Sequence, residues 1–281
     1  MKQSVVQASA THAVRAFGTG GTPTIAIVNG ATTGLGYELT KLVAAMQTAL
    51  DRFFVPVWGT PAKLEVFANK KSIPKGAWPF IFLDHADVPD ALGYHDLTKT
   101  GVPVTFVFVK TTIDDGGDGG DVAVTASHEL WEVLVDPAIQ LWAENAEGTL
   151  WAYEAADAVE ETDFLVDDVR ISNFVYPSFF ESFRKPKSTK FDHLGLVDRP
   201  FKLLKGGYTL LRKGAKVTHI FGSKEKEVRF GNEARKLHRS EDRGVPMAKR
   251  LEKLEAKKAA LKKAAPKMAA MVKKPKMGTV W

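Results

Sequence analysis

The sequence has no cysteine, which excludes a disulfide framework, a thiolate zinc site and a cysteine nucleophile. It also has no apolar run near the roughly 18 residues that a membrane-spanning helix needs. Residues 1–22 contain no apolar segment of the kind that a secretory signal requires. We therefore expect no signal peptide and no membrane partner, and we expect the chemistry to come from His, Asp, Glu, Ser or Tyr.

Several common site motifs are also missing. No glycine-rich phosphate loop follows a predicted strand, and no serine occupies a nucleophile elbow. Residues 33–36 (Thr-Gly-Leu-Gly) open a helix after a strand, but they lack the full dinucleotide-binding fingerprint. Residues 111–121 contain one glycine–aspartate stretch. Without a repeat period, this stretch predicts a flexible acidic loop rather than a calcium-binding repeat.

The positive charge is concentrated at the C-terminus. The chain carries +6, but residues 245–281 hold eleven Lys and Arg against two Glu, a net charge of +9. The other 244 residues therefore carry −3, so the body gives no reason to expect a nucleic-acid binder. For the tail, three interpretations stay open: contact with nucleic acid, contact with an acidic protein surface, or a solvated segment with no partner.

Apolar patterning predicts an α+β fold, because β-branched and aromatic runs favour strands and spacings of three and four favour helices. Strands are predicted at 24–28, 62–67, 78–83, 92–97, 102–109, 150–153 and 169–175, and helices at 35–54, stopping before Pro56, and at 122–135. A hairpin or turn is predicted at 201–211, around Gly206 and Gly207. This order indicates a mixed sheet with packed helices, in which 92–97 is a short edge strand.

The chain is predicted to divide into three parts. Residues 1–22 form a flexible N-terminal arm, 23–244 form one α+β domain, and 245–281 form a basic tail rich in Lys and Ala. The spacing of the leucines in the tail predicts a lysine-rich helix that ends at Pro266.

The second predicted helix contains the most informative motif, Ser-His-Glu-Leu-Trp-Glu at 127–132. His128 and Glu132 lie one helical turn apart on the same face. This is the geometry of His-Glu-x-x-His zinc helices, with Glu in place of the second His. In such helices the first and fifth side chains bind the metal. The carboxylate next to the first His, here Glu129, holds and deprotonates a metal-bound water.

A third ligand has to come from elsewhere in the chain. Glu154 and Asp157 follow Glu132 by 22 and 25 residues, and either could complete a His-Glu-carboxylate site. Asp136, one turn beyond Glu132, stays open as a further alternative.

Other polar side chains near the motif favour structural roles. His95 and Asp96 could line the cleft, although a lone His on a strand is more often structural. Tyr153 and Tyr176 could supply an oxyanion donor, but the pattern favours core aromatics with satisfied hydroxyls.

The ordered motifs resemble a family of bacterial and phage-encoded proteins that are similar to zincin metallopeptidases. The resemblance covers roughly residues 24–210 and rests on segments 25–30 (Ile-Ala-Ile-Val-Asn-Gly), 54–59 (Phe-Val-Pro-Val-Trp-Gly), 91–98 (Ala-Leu-Gly-Tyr-His-Asp-Leu-Thr), 127–137, 153–157 (Tyr-Glu-Ala-Ala-Asp), 172–177 (Ser-Asn-Phe-Val-Tyr-Pro) and 201–208. It implies a zincin-like α+β domain with His128, Glu132 and a downstream carboxylate near a metal. The arm and the tail lie outside it.

Two functions follow as hypotheses. The first is a zinc metallopeptidase or related hydrolase that acts on a peptide or protein through a metal-activated water. The second is a non-catalytic structural or interaction protein, such as a phage virion component, with a structural metal or none and a basic docking tail. A carboxylate ligand makes the site more anionic, which raises the pKa of a bound water and also suits Ca²⁺ or Mn²⁺ besides Zn²⁺. With these two functions we expect the protein to lie in the cytoplasm or in a virion.

Overall fold

A five-stranded mixed sheet forms one layer of the fold. The computed structural model describes residues 21–87 and 91–230, together with positions 249, 252 and 256. The sheet contains β1 (Thr24–Asn29), β2 (Lys63–Val66), β3 (Trp78–Leu83), β4 (Gly93–Leu97) and β5 (Pro103–Phe108), in the order β2-β1-β3-β5-β4. All neighbours are parallel except β4, which runs antiparallel to β5 at the edge. The α+β class, the mixed sheet and the edge strand are therefore confirmed.

Three helices accompany this sheet, the first between β1 and β2 and the other two after β5. They are α1 (Leu39–Ala49), the short α2 (Val109–Asp114) and the long α3 (Gly119–Val135). Beyond them lie a four-stranded antiparallel sheet, a two-stranded hairpin and a last helix. The four-stranded sheet has the order β11-β10-β7-β6 and contains β6 (Trp142–Glu144), β7 (Leu150–Ala152), β10 (Tyr208–Lys213) and β11 (Lys216–Phe221). The hairpin contains β8 (Asp163–Val166) and β9 (Val169–Ser172), and the last helix is α4 (Lys224–Phe230).

The first helical region differs from its prediction at both ends. It begins at Leu39 rather than at residue 35, and it continues past Ala49 through a π-helical segment (Leu50–Phe54) and a final turn (Val55–Trp58). Pro56 does not stop it, because a proline in the first turn of a new helical segment interrupts no necessary hydrogen bond. The helix ends at Gly59, whose φ of 67° is the left-handed conformation that glycine adopts without strain.

Two further predictions are wrong in detail. The acidic stretch at 111–121 is not a continuous loop, because α2 takes up its first part and α3 begins within it at Gly119. The hairpin of β10 and β11 turns at Gly214, where φ is 61°, and not at Gly206 and Gly207. Three short or polar strands, β6, β8 and β11, were not predicted, because their few residues show little apolar alternation.

Helix α3 is enclosed by the rest of the fold. It packs against β4 and β5 on one side and against β9 on another. Ser127 Oγ accepts a hydrogen bond from the Ser172 backbone N–H at 2.8 Å, and Trp131 Nε1 donates to the Ser172 carbonyl at 3.0 Å. From Ala126 to Val135 every residue of the helix is buried. The polar residues of its motif are therefore inside the protein.

The start of α3 is fixed by a capping box. The Asp118 carboxylate accepts the Asp121 N–H at 3.0 Å, and the Asp121 carboxylate accepts the Asp118 N–H at 2.8 Å. The hydrogen bond from Asp121 holds the pKa of Asp118 below its usual value. Arg170 on β9 contacts Asp121 at 3.0 Å and ties the cap to the neighbouring hairpin.

We expect Asp118→Ala to lower the free energy of unfolding by about 1 kcal/mol at neutral pH, the usual loss for an N-cap. Asp118→Asn is the matched control, because asparagine caps a helix about as well. Since folding lowers the pKa of Asp118, the charge-dependent part of its contribution is present at neutral pH and disappears as the pH falls through the lowered pKa. Urea unfolding at several pH values measures this. Equal stability of both variants at neutral pH would contradict it.

The predicted domain limits are not decided by the described residues. The predicted arm lies outside them except for residues 21 and 22, and the basic tail lies outside them except for 249, 252 and 256, which are helical and exposed. Across the part of the chain that is described, no helix is both long enough and apolar enough to traverse a bilayer.

Candidate metal centre

The core of the site is the pair that α3 carries. His128 Nε2 lies 3.2 Å from Glu132 Oε1, as the spacing of one helical turn predicts. Glu132 has no exposed surface, and His128 is 8% exposed. Both side chains therefore face the interior and not the solvent, where an acidic helix face usually lies.

Asp157 completes a group of three. It begins a short 3₁₀ segment (Asp157–Val159) after β7, and its Oδ1 lies 3.2 Å from His128 Nε2. Single ligand atoms of His128, Glu132 and Asp157 all lie within 4.8 Å of one another. Metal–ligand bonds of about 2.0–2.1 Å place neighbouring ligands of a tetrahedral ion about 3.3 Å apart. These buried groups are close enough to hold a metal ion.

Glu154 is placed differently. It is buried at 4% exposure, but neither of the two groups of potential ligands found among the described residues includes it. Of the three carboxylates that the sequence left open, Asp157 is brought to 3.2 Å from His128 Nε2.

Asp136 shapes the backbone beside the site. Its carboxylate accepts the N–H groups of Gln140 at 2.9 Å and Leu141 at 3.0 Å. The same turn holds Ile139 at a φ of 51°, which is unusual for a β-branched residue. The Asp136 side chain thus stabilises the turn that follows α3, and it belongs to neither group of potential ligands among the described residues.

His95 is the site residue whose importance the sequence did not reveal. It is fully buried on β4, and its Nδ1 lies 3.3 Å from Glu129 Oε2 and 3.7 Å from Glu132 Oε2. Its Nε2 lies 3.1 Å from the Asp136 carbonyl oxygen. His95, Glu129 and Glu132 form a second group of potential ligands. The only available signal was the inward position of His95 on a predicted edge strand. That position does not indicate which residue of the helix His95 contacts.

The carboxylates dominate the electrostatics of the site. Burial alone would lower the pKa of His128. The negative charge of Glu132, hydrogen bonds to Asp157 and Glu132, and the charge of Glu129 outweigh burial and raise that pKa well above its usual value. The surroundings of His128 therefore attract a positive charge, which either a proton or a metal cation can supply.

The remaining candidates lie around this centre. Asp96 is half-buried, and its side chain accepts the Leu97 N–H at 2.6 Å. Tyr153 is buried with its ring 4.3 Å from that of Phe180, and burial raises the pKa of its hydroxyl. Tyr176 is half-buried and stacks on Phe174. The two tyrosines pack as core aromatics, and their use as oxyanion donors stays a prediction.

Comparisons with protein-family models, with curated proteins and with solved structures give no match to this chain. The functional argument therefore rests on the geometry of the site.

Proposed function

We propose that the protein is a zinc-dependent hydrolase with a zincin-like fold and that peptide bonds are its substrates. The observation that carries this proposal is the buried group of His128, Glu132 and Asp157 on and beside a helix that packs against an edge strand. One nitrogen and two carboxylate oxygens, each 3.2 Å from that nitrogen, suit Zn²⁺ and also Mn²⁺. They suit Ca²⁺ less well, because Ca²⁺ takes six to eight oxygens.

The group formed by His128, Glu132 and Asp157 is open to solvent on one side. The side chains of His128 and Asp157 keep 10% and 7% of their surface exposed, while Glu132 keeps none. Three protein ligands with a fourth position for water are typical of catalytic zinc. When bound, the ion would act as a Lewis acid on a water and on a substrate carbonyl.

Glu129 is the proposed proton acceptor. It follows His128 directly on α3, and its side chain is 5% exposed. Its contact with His95 holds the carboxylate in the interior rather than in bulk solvent, and its negative charge acts on His128. A carboxylate so placed can take a proton from the attacking water and return it to the leaving amine.

The edge strand offers a place for an extended substrate. β4 is the last strand in the order of its sheet, next to the helix that carries the ligands. The strand β4 and the helix α3 lie close together at Gly93, where an added Cβ would lie 2.9 Å from Thr125 Cγ2 and 3.0 Å from Glu129 Cγ. A peptide that adds to a sheet edge binds through its backbone, which would bring a scissile bond near Glu129.

We expect Glu129→Gln to reduce zinc-dependent cleavage of an unstructured protein such as casein by about 10²- to 10⁴-fold, the usual contribution of a general base. The substitution removes the proton acceptor and keeps the size of the side chain. The exposed Glu147 provides the control variant, Glu147→Gln, which should retain full activity. Circular dichroism and the metal content of each variant, measured by elemental mass spectrometry, check folding and loading. Retained turnover in Glu129→Gln would show that Glu129 is not the proton acceptor.

One observation favours the non-catalytic alternative. The residues of the site are nearly enclosed, with His128 the most exposed at 8% of its whole-residue surface, and structural metal sites are closed. A protein that binds zinc through His128 but cleaves no peptide or ester substrate would support this structural role.

Docking through the basic tail, residues 245–281, stays a prediction. It requires that truncation after residue 244 abolish a salt-sensitive association, as phosphate contacts would produce.

A further inference from the structure

We propose that a second divalent cation binds between His95, Glu129 and Glu132, so that Glu132 bridges two metal ions. This inference rests on the proposed metal site at His128. Glu132 presents Oε1 to His128 at 3.2 Å and Oε2 to His95 at 3.7 Å. The two oxygens of one carboxylate thus belong to two adjacent groups of ligands, the arrangement that bridges paired ions about 3.5–4 Å apart.

The tautomer of His95 is set by a neighbour outside the group. The Asp136 backbone carbonyl can only accept a hydrogen bond, so His95 Nε2, at 3.1 Å, carries a proton and donates it. A neutral His95 therefore presents the lone pair of Nδ1 to the carboxylates of Glu129 and Glu132. Metal-binding histidines commonly donate their second ring N–H to a backbone carbonyl in this way.

A neutral His95 would turn this lone pair toward the carboxylates, a repulsion that a positive charge at Nδ1 relieves, whether that charge is a proton or a metal ion. Glu129 Oε2 lies 3.3 Å from Nδ1, the spacing of about 3.3 Å between ligands of a tetrahedral ion. Three carboxylates, those of Glu129, Glu132 and Asp157, are enclosed in this small region. Burial of that much negative charge requires positive charge nearby, and a second cation beside His95 would supply it.

The two positions differ in access. The side chains of His95 and Glu132 have no exposed surface and that of Glu129 has 5%, so the second position is the more closed of the two. Closed sites are typical of structural metals. With one His and two carboxylates, the chemistry again selects Zn²⁺ or Mn²⁺.

The second cation would position Glu129. Coordination through Oε2 would fix the side chain, and the other carboxylate oxygen would stay available as the proposed proton acceptor. Through His95 on β4 and Glu129 and Glu132 on α3, the strand and the helix would then be tied to the same ion.

The test is the number of cations that the full-length protein binds after metal removal with a chelator. Zn²⁺ is titrated in a calorimeter, and the bound metal is counted by elemental mass spectrometry after gel filtration. We expect about two Zn²⁺ per chain in the wild type, one in His95→Gln and one in Asp157→Asn. The amide of glutamine replaces Nε2 and keeps the donor to Asp136 but has no counterpart of Nδ1. Glu132→Gln should lose both ions.

The outcomes separate this inference from the proposed function. One Zn²⁺ in the wild type that Asp157→Asn loses and His95→Gln retains would overturn the second site and leave the first intact. One ion lost in both variants would indicate a single centre and would also overturn it. No bound metal would overturn both proposals.

A measurement on the wild type alone avoids any folding defect of the variants. In protein loaded with Mn²⁺ to saturation, two ions that share a carboxylate couple magnetically. Electron paramagnetic resonance should then show loss of the signal of isolated Mn²⁺. An undiminished isolated-ion signal from all bound Mn²⁺ would contradict a bridged pair.

Discussion

Saturation with Zn²⁺ is expected to raise the melting temperature of the metal-free protein by on the order of 10 °C. A ligand that binds only the folded state at a thousand times its Kd stabilises that state by about 4 kcal/mol, and about 1 kcal/mol shifts the melting temperature of a domain of this size by roughly 2–4 °C. The physical origin is the relief of repulsion among the buried carboxylates of Glu129, Glu132 and Asp157. Differential scanning calorimetry with and without a chelator measures the shift.

His128→Ala should lose most of this Zn²⁺-dependent shift, because it removes a nitrogen ligand that lies 3.2 Å from two carboxylate oxygens. His85→Ala is the matched control, since His85 is exposed and belongs to neither group of potential ligands. The control should keep the full shift. If zinc stabilised His128→Ala as much as the wild type, His128 would be an ordinary helix residue and the metal-dependent hydrolase would have to be abandoned.

Trp131→Ala is expected to lower the free energy of unfolding by about 3–5 kcal/mol, the usual loss for a large buried aromatic. Trp131 is fully buried, its ring stacks on Phe54 at 4.6 Å, and it lies 5.5 Å from the ring of Phe174. Its Nε1 donates to the Ser172 carbonyl, so the substitution also leaves that buried acceptor without its donor. Chemical denaturation of the variant and the wild type measures the difference.

Phe183→Ala is the control for removal of an aromatic ring. Phe183 is 70% exposed, so its loss should change the free energy of unfolding by no more than about 0.5 kcal/mol. A loss for Trp131→Ala as small as this would mean that the contacts of Trp131 do not hold α3 against the π-helical segment (Leu50–Phe54) and β9.

The sequence alone determined the features that depend on local periodicity. The strand at 78–83 was predicted with its observed limits, because its aromatic and aliphatic residues are bounded by turn residues on both sides. The facing of His128 and Glu132 follows from the helical repeat, and the distance between them is set within one turn of α3. No long-range contact is needed for either result.

Other local signals were misjudged because two interpretations of the same residues compete. Pro56 can end a helix or begin a new helical segment, and here the packing of Phe54 and Trp58 in the core favours the second. Asp118 and Asp121 in a glycine-rich stretch are equally typical of a loop and of an N-cap. The interaction of Arg170 with Asp121 favours the cap, but Arg170 is distant in the sequence.

Only the tertiary structure decided which residues join the pair on α3. Asp157 approaches His128 because the segment after β7 turns into a 3₁₀ helix at that residue, whereas Glu154 lies before the turn. His95 approaches Glu129 because of the antiparallel register of β4 on β5 and the packing of α3 across both strands. Sequence periodicity specifies which face of an element a residue occupies. The partner across the interface depends on register, turn geometry and packing, which are properties of the whole fold.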